Sequence, residues 1–247
     1  MDSLAAAIDG AEDRRISIDV YTDVDDVVTD LEMRFSTRNA EINRRGDSPI
    51  PGRGFVVVRD ADNAFRGALS VDRLDVLLSP KPKPPGRRDA SDSIADVFGL
   101  LDNTVFASFS RRHLLAIARE IEDRAWRIGA GSLYVGFQRA GAFTAQREMY
   151  DRLARDSDLR IRIFIEDEWA VPLDGSIDVV TDPAEEIGRF WFVLFVGEPA
   201  GTTSSGLLAE ERSPGRYYGF WTDESDRVGE LISYLDATYV PDEPTDG

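Results

Sequence analysis

The run Phe190-Trp-Phe-Val-Leu-Phe-Val196 constrains this chain more than any other stretch. Apolar residues follow one another without a polar position, so the run has no solvent face. It is far short of the roughly 18 apolar residues of a membrane span. It therefore reads as a central strand, buried on both sides of its sheet. Other elements of the chain must cover it.

Those elements are legible from periodicity. Ile16, Ile18 and Val20 alternate with Ser17, Asp19 and Tyr21, which is the period of a strand. Thr22 is placed to cap a helix, with Asp25 three residues on, and the helix face is Val24, Val27 or Val28, Leu31 and Phe35. Arg44 to Gly54 reads as a loop. Gly54 to Arg59 is β-branched and reads as a strand, followed by a turn at Asp60 to Asn63 and a short strand at Phe65 to Leu69. Ser70 is expected to cap a short helix carrying Leu74, Leu77 and Leu78.

Beyond residue 92 the pattern resumes. Ser93 and Asp96 open a helix with Ile94, Val97, Phe98 and Leu101 inside, and Val105 to Phe109 is a short strand. A long helix capped by Ser110 carries Leu114, Ile117 or Ala118, Ile121, Ala125 and Ile128, and Gly129 and Gly131 end it. Ser132 to Gln138 is a strand, about Phe143 to Arg155 a helix, and Leu159 to Ile165 a strand. A short strand lies within Asp174 to Thr181. Leu207 to Glu211 and Arg216 to Trp221 pair through Ser213-Pro214-Gly215. Asp223 is expected to cap the last helix, with Val228, Leu231, Ile232 and Leu235 inward. The fold class is thus α/β, or mixed α+β. A mixed, partly antiparallel sheet is flanked by helices, with a small N-terminal β-α-β lobe.

Pro80-Lys-Pro-Lys-Pro-Pro-Gly-Arg-Arg88 is the clearest boundary. Proline forbids helix here and disfavours sheet. The expected organisation is an accessory lobe at 1–78, a linker at 79–92, a second domain at 93–240 and a polar tail at 241–247. The alternative for the proline stretch is a basic docking site.

Charge narrows the function. The chain has 46 acidic and 29 basic residues, a formal net charge of -17, and its lysines are Lys81 and Lys83. Such a chain repels itself at low ionic strength, and salt near 1 M screens that repulsion within about 3 Å. The pattern reads as adaptation to molar salt. The alternative is an acidic protein with a basic partner, and the near absence of lysine favours salt. Nucleic-acid binding is disfavoured, because no basic face is evident. The N-terminus lacks a signal-peptide pattern, so no membrane association is expected and the cytoplasm is the expected compartment.

There is no cysteine, and His113 is the single histidine. This excludes thiolate chemistry and makes a Ser-His-Asp triad or multi-histidine metal site improbable. His113, in the first turn of the long helix, reads as a surface or capping residue rather than a phosphoacceptor. The Glu166-Asp167-Glu168 cluster, the Asp23, Asp25, Asp26 group and Glu185-Glu186 read as solvated acids rather than metal ligands. No phosphate loop or dinucleotide fingerprint is present. No catalytic residue, metal ligand or cofactor is assigned.

Aromatic residues give the best candidate site. Trp126, Trp169, Trp191 and Trp221, with Phe137, Phe143, Tyr217, Tyr218 and Phe220, crowd the C-terminal two-thirds. Most fit a core, and Trp221 and Phe143 are the exceptions that fit a planar ligand. Gln138 and Arg139 end a strand where α/β proteins place ligand contacts. Arg139 has an alternative, an ion pair with Asp223 or a sheet-edge carboxylate. The candidate ligand-binding set is Phe137, Gln138, Arg139, Phe143, Trp221 and Asp223.

From about Phe106 to Leu235 the chain resembles the DICT sensory domain. The residues that carry the resemblance are Ile121-Glu-Asp-Arg124, Gly136-Phe-Gln-Arg139 with Phe143, and Tyr150 with Leu153 and Ala154. Phe190-Trp-Phe-Val193 and Tyr218-Gly-Phe-Trp-Thr-Asp223 complete the series. The resemblance implies a sensory input module of α/β fold without catalytic residues, of the stand-alone kind found in salt-loving archaea. Members are usually fused to kinases, cyclases or DNA-binding domains, and no such partner domain is readable here. The expected partner is an unidentified small molecule or signalling protein, with the oligomeric state open. An adaptor without a small-molecule site, or an enzyme of unrecognised type, are the other readings.

Overall fold

The computed structural model describes residues 1–12, 16–36, 39–78, 105–170, 173, 176–181, 186–199 and 203–240. Several expectations fall outside them: the proline linker with both lysines, the helix opened by Ser93, Glu185, and the polar tail. The His113, Leu77 and Leu78 side chains lie outside as well. The chain divides into two compact units, Gly10–Ser108, and Met1–Asp9 with Phe109–Gly247.

The smaller unit holds β1 (Ile16–Tyr21), α2 (Asp25–Phe35), β2 (Ala40–Gly46), β3 (Phe55–Arg59), β4 (Phe65–Ser70) and α3 (Val71–Leu78). Its sheet order is β2-β1-β3-β4. β2 runs parallel to β1, and β3 and β4 are antiparallel to their neighbours. Ile18, Val20, Val56 and Val58 are buried with Val27, Leu31 and Phe35 of α2 and Leu74 of α3.

Two expectations are corrected here. The loop expected from Arg44 begins too early, because Ala40–Gly46 is a strand. Its polar sequence hides it, since an outer strand needs little apolar alternation once β1 supplies its backbone partners. Thr22 is not a helix cap. Its Oγ1 accepts from Val24 N at 3.1 Å and donates to Arg53 O at 2.8 Å, and α2 starts without a side-chain cap. Ser70 does cap α3, accepting from Arg73 N at 3.3 Å.

The larger unit carries β5 (Val105–Ser110), whose last two residues lie in it, α4 (Arg111–Ile128) and β6 (Ala130–Phe137). After these come α5 (Ala140–Thr144), α6 (Arg147–Arg155), β7 (Asp158–Ile165), β8 (Ile177–Thr181) and α7 (Glu186–Arg189). The unit ends with β9 (Phe190–Gly197), β10 (Ser204–Ser213), β11 (Arg216–Thr222) and α8 (Ser225–Tyr239). Helix α1 (Leu4–Glu12) begins in this unit, with Leu4 N donating to Glu186 Oε1 at 2.9 Å. The sheet order is β5-β11-β10-β9-β6-β7-β8. β6, β7 and β8 are parallel, while β6–β9, β9–β10 and β10–β11 are antiparallel. The expected mixed sheet is present.

β9 is central and buried from Phe190 to Phe195. α4 packs on β9, β6 and β10, and α6 packs on β7. α8 packs on β9 and β10, where Val228 lies beside Gly206 and Leu194. The single helix expected over Phe143 to Arg155 is two helices, because the chain turns at Ala145 and Gln146. Asp223 does not cap α8. The preceding residue is Glu224, whose amide is held by Thr222 Oγ1 at 3.0 Å. Among the described residues, no helix is long and apolar enough to cross a membrane.

Candidate functional site

The carboxyl end of β6 gathers four of the six sequence candidates. Phe137 is the last residue of β6 and pairs in register with Ile165 of β7. The residues after each strand therefore leave the sheet side by side. Arg139 Nη1 lies 3.1 Å from Glu166 Oε2 and 3.7 Å from Asp167 Oδ1. This is the sheet-edge carboxylate alternative, and Asp223 is not its partner. Asp167 also accepts from Ala140 N at 2.8 Å, fixing the start of α5. The Arg139 side chain is 66% exposed, so its head reaches solvent from the rim rather than from a pocket. Gln138 Nε2 donates to Arg189 O at 3.4 Å.

Beneath the rim the aromatic rings close on one another. Phe143 lies 5.4 Å from Phe137, 6.1 Å from Tyr150 and 4.9 Å from Trp169, centroid to centroid. Phe137 meets Tyr150 edge-on at 5.7 Å. Phe143 is 0% exposed, while Trp169 is half-buried and forms the outer wall. Trp169, named among the crowded aromatics but left out of the candidate set, joins the cluster, as does Tyr150. For Trp169, the position three residues after Glu166 was the available signal.

The cluster is tied to α4. Tyr150 Oη donates to Glu122 Oε1, and Arg119 Nη1 donates to Glu122 Oε2 at 2.6 Å. Arg119 Nη2 donates onward to Gln146 Oε1. Glu122 is buried on the helix. Burial pushes its carboxyl above the usual range, and Asp123 adds to this, while Arg119 and Tyr150 oppose it. Tyr150 is pushed well up by its own burial and by the Glu122 charge.

Trp221 and Asp223 lie elsewhere. The register row Trp221, Leu207, Val193, Val135 puts Trp221 three strands from β6, and Phe137 is two residues further along. At about 4.8 Å per strand that is roughly 14 Å across the sheet. Asp223 Oδ1 accepts from Arg124 Nη1 at 2.8 Å and from Ser205 Oγ. Arg124 also donates to Ser205 Oγ at 3.2 Å. The six candidates thus form two groups, at the end of β6 and at the end of β11.

The motif glycines are explained by packing. A Cβ on Gly136 would enter the Phe192 ring, and one on Gly219 would strike Leu208 O. A depression of about 480 Å³ lies in the smaller unit and is lined by residues including Ser17, Asn43 and Arg45. Among the described residues, no group of three or more acidic or histidine side chains is placed to hold a metal.

Residues 96–212 match the family described as DICT, sensory domain in diguanylate cyclases and two-component system. Over that segment the chain is similar to the DICT sensory domain. No curated protein matches. Among solved structures, a polyphosphate kinase from Porphyromonas gingivalis aligns at 10% identity and a TM-score of 0.35. The alignment covers 94% of this chain and 47% of that one, so the chain spans about half the length of that protein. So low a score supports no statement about fold or activity.

Proposed function

We propose that this is a non-catalytic sensory or regulatory protein of signal transduction, acting in the cytoplasm of a salt-adapted cell. It binds a small ligand or a signalling partner at the end of β6. The match of residues 96–212 to a sensory domain carries the reading. The exposed Arg139 head, beside Phe137, Gln138 and Phe143 and held by Glu166, supports the place. Trp221, expected to stand out from the core for a planar ligand, is buried at 5% exposure, and with Asp223 it falls outside this site.

One observation favours a protein partner as the occupant. Phe143 is fully enclosed by Phe137, Tyr150 and Trp169, so a ligand must either sit on the rim or open the cluster. The adaptor reading needs only the rim. The Arg139 head stands in solvent at 66% exposure, a setting that disfavours the enzyme reading, since such chemistry needs exclusion of water.

The test is a thermal-shift screen of metabolites, nucleotides, flavins and tetrapyrroles in about 3 M KCl, where surface repulsion is screened. A ligand at 100 times its dissociation constant adds about 2.7 kcal/mol of stability. A hit lost in Arg139→Ala supports the site. A hit that survives Arg139→Ala removes it, and a blank library with a captured protein partner selects the adaptor.

A further inference from the structure

Two side chains of one helical turn reach in different directions. Glu122 of α4 accepts from Tyr150 of α6, behind the Phe137–Phe143 cluster. Arg124, two residues on, holds Asp223 and Ser205 at the end of β11 and the start of β10. Along the same helix, Leu114, Ile117, Ala118, Ile121 and Ala125 are buried, and the helix packs on β9, β6 and β10. Trp221, next to last in β11, precedes Asp223 by two residues.

From this geometry we propose that α4 is a two-armed latch that couples the strand-end site to the Trp221 end of the sheet. The proposal rests on the strand end being the sensing site. Its physical basis is the cost of an unmet buried charge. Glu122 is enclosed, and if Tyr150 moves with the aromatic cluster, Glu122 keeps only Arg119. The helix must then shift to restore a donor, and a packed helix moves as a unit between discrete positions. The Arg124 arm carries the shift to Asp223. The far arm alone spans 99 residues of sequence, from Arg124 to Asp223.

The test is fluorine NMR of the full chain labelled with 5-fluorotryptophan, its resonances assigned by single Trp→Phe variants. Tyr150→Phe removes one hydroxyl at the near end, and Asp223→Asn removes one charge at the far end. The latch requires Tyr150→Phe to move the Trp221 resonance by more than a linewidth, and Asp223→Asn to move that of Trp169. Lesions felt only at their own ends overturn it. Glu122→Gln serves as the near lesion if Tyr150→Phe does not fold, and Arg124→Lys should restore part of the coupling lost in Arg124→Met. The two readings fail separately. Cross-end shifts in a chain whose ligand response ignores Arg139→Ala sink the site alone. An Arg139-dependent response without cross-end shifts sinks the latch alone.

Discussion

The two sheets of this protein solve the same burial problem differently. In the smaller unit, β3 alternates buried Val56 and Val58 with half-exposed Phe55, Val57 and Arg59. The less buried face carries Tyr21 stacked on Phe55 at 4.8 Å, and Asp19 held by Arg45 at 2.8 Å and Arg59 at 3.3 Å. In the larger unit, β9 has no open face, with α4 on one side and α8 on the other. The number of covered faces is written in the strand sequence. Alternation marks one covered face, and an unbroken apolar run marks two.

The strongest challenge to that contrast is truncation of one ring in each sheet. Phe192 is fully buried, 5.5 Å from Phe164 and directly over Gly136. Phe192→Ala should cost about 3–5 kcal/mol through lost transfer energy and the cavity left behind. Phe55→Ala loses a stacked pair on a half-exposed face and should cost only about 1–2 kcal/mol. Urea unfolding in high salt measures both. Equal costs would mean that the second face of the small sheet is as well covered as that of the large one.

A smaller effect sharpens the same contrast at two glycines. Gly136→Ala forces a methyl into the Phe192 ring, and overpacking of this kind costs about 1–3 kcal/mol. At Gly46 of β2 an added Cβ would meet nothing within 4 Å, so Gly46→Ala should stay within about 0.5 kcal/mol. A neutral Gly136→Ala would show that β6 and β9 have slack.

The legible parts of the molecule are those where local pattern and burial agree. β1, β3, β7, β9 and the β10–β11 hairpin follow from period two or from apolar runs, and the stripe on α4 from period 3.6. β2 was not legible, because its register with β1 is set by a neighbour distant in sequence and not by its own residues. The cap expected at Asp223 failed for a related reason. An aspartate ahead of a helix reads as a cap, but Arg124 and Ser205 hold this one in place of the helix amides, and both are distant in sequence. The site was half legible. Strand-end position brought Phe137, Gln138, Arg139 and Phe143 together, whereas sheet order, which a single sequence does not display, separated Trp221 and Asp223 from them.

The smallest predicted effect concerns the buried acid on which the latch turns. Glu122 is raised above the ordinary carboxylate value of 4.5, first by burial and then by Asp123, against the pull of Arg119 and Tyr150. A carboxyl raised on folding contributes stability that is fully present below its unfolded value and is lost as pH rises through the folded one. Glutamine carries no charge at any pH and escapes that loss. The difference in Tm between Glu122→Gln and the parent should therefore grow as pH rises from about 4.5 toward neutrality. Replacement also disturbs the Tyr150 and Arg119 bonds, which sets a constant offset, so the trend with pH and not the offset is diagnostic. A difference of about 1 kcal/mol would appear as about 2–4 °C in a chain of this size. A difference that shrinks with rising pH would mean that Arg119 and Tyr150 stabilise the Glu122 charge by more than burial costs it. The buried pair would then be a permanent brace rather than a group poised to respond.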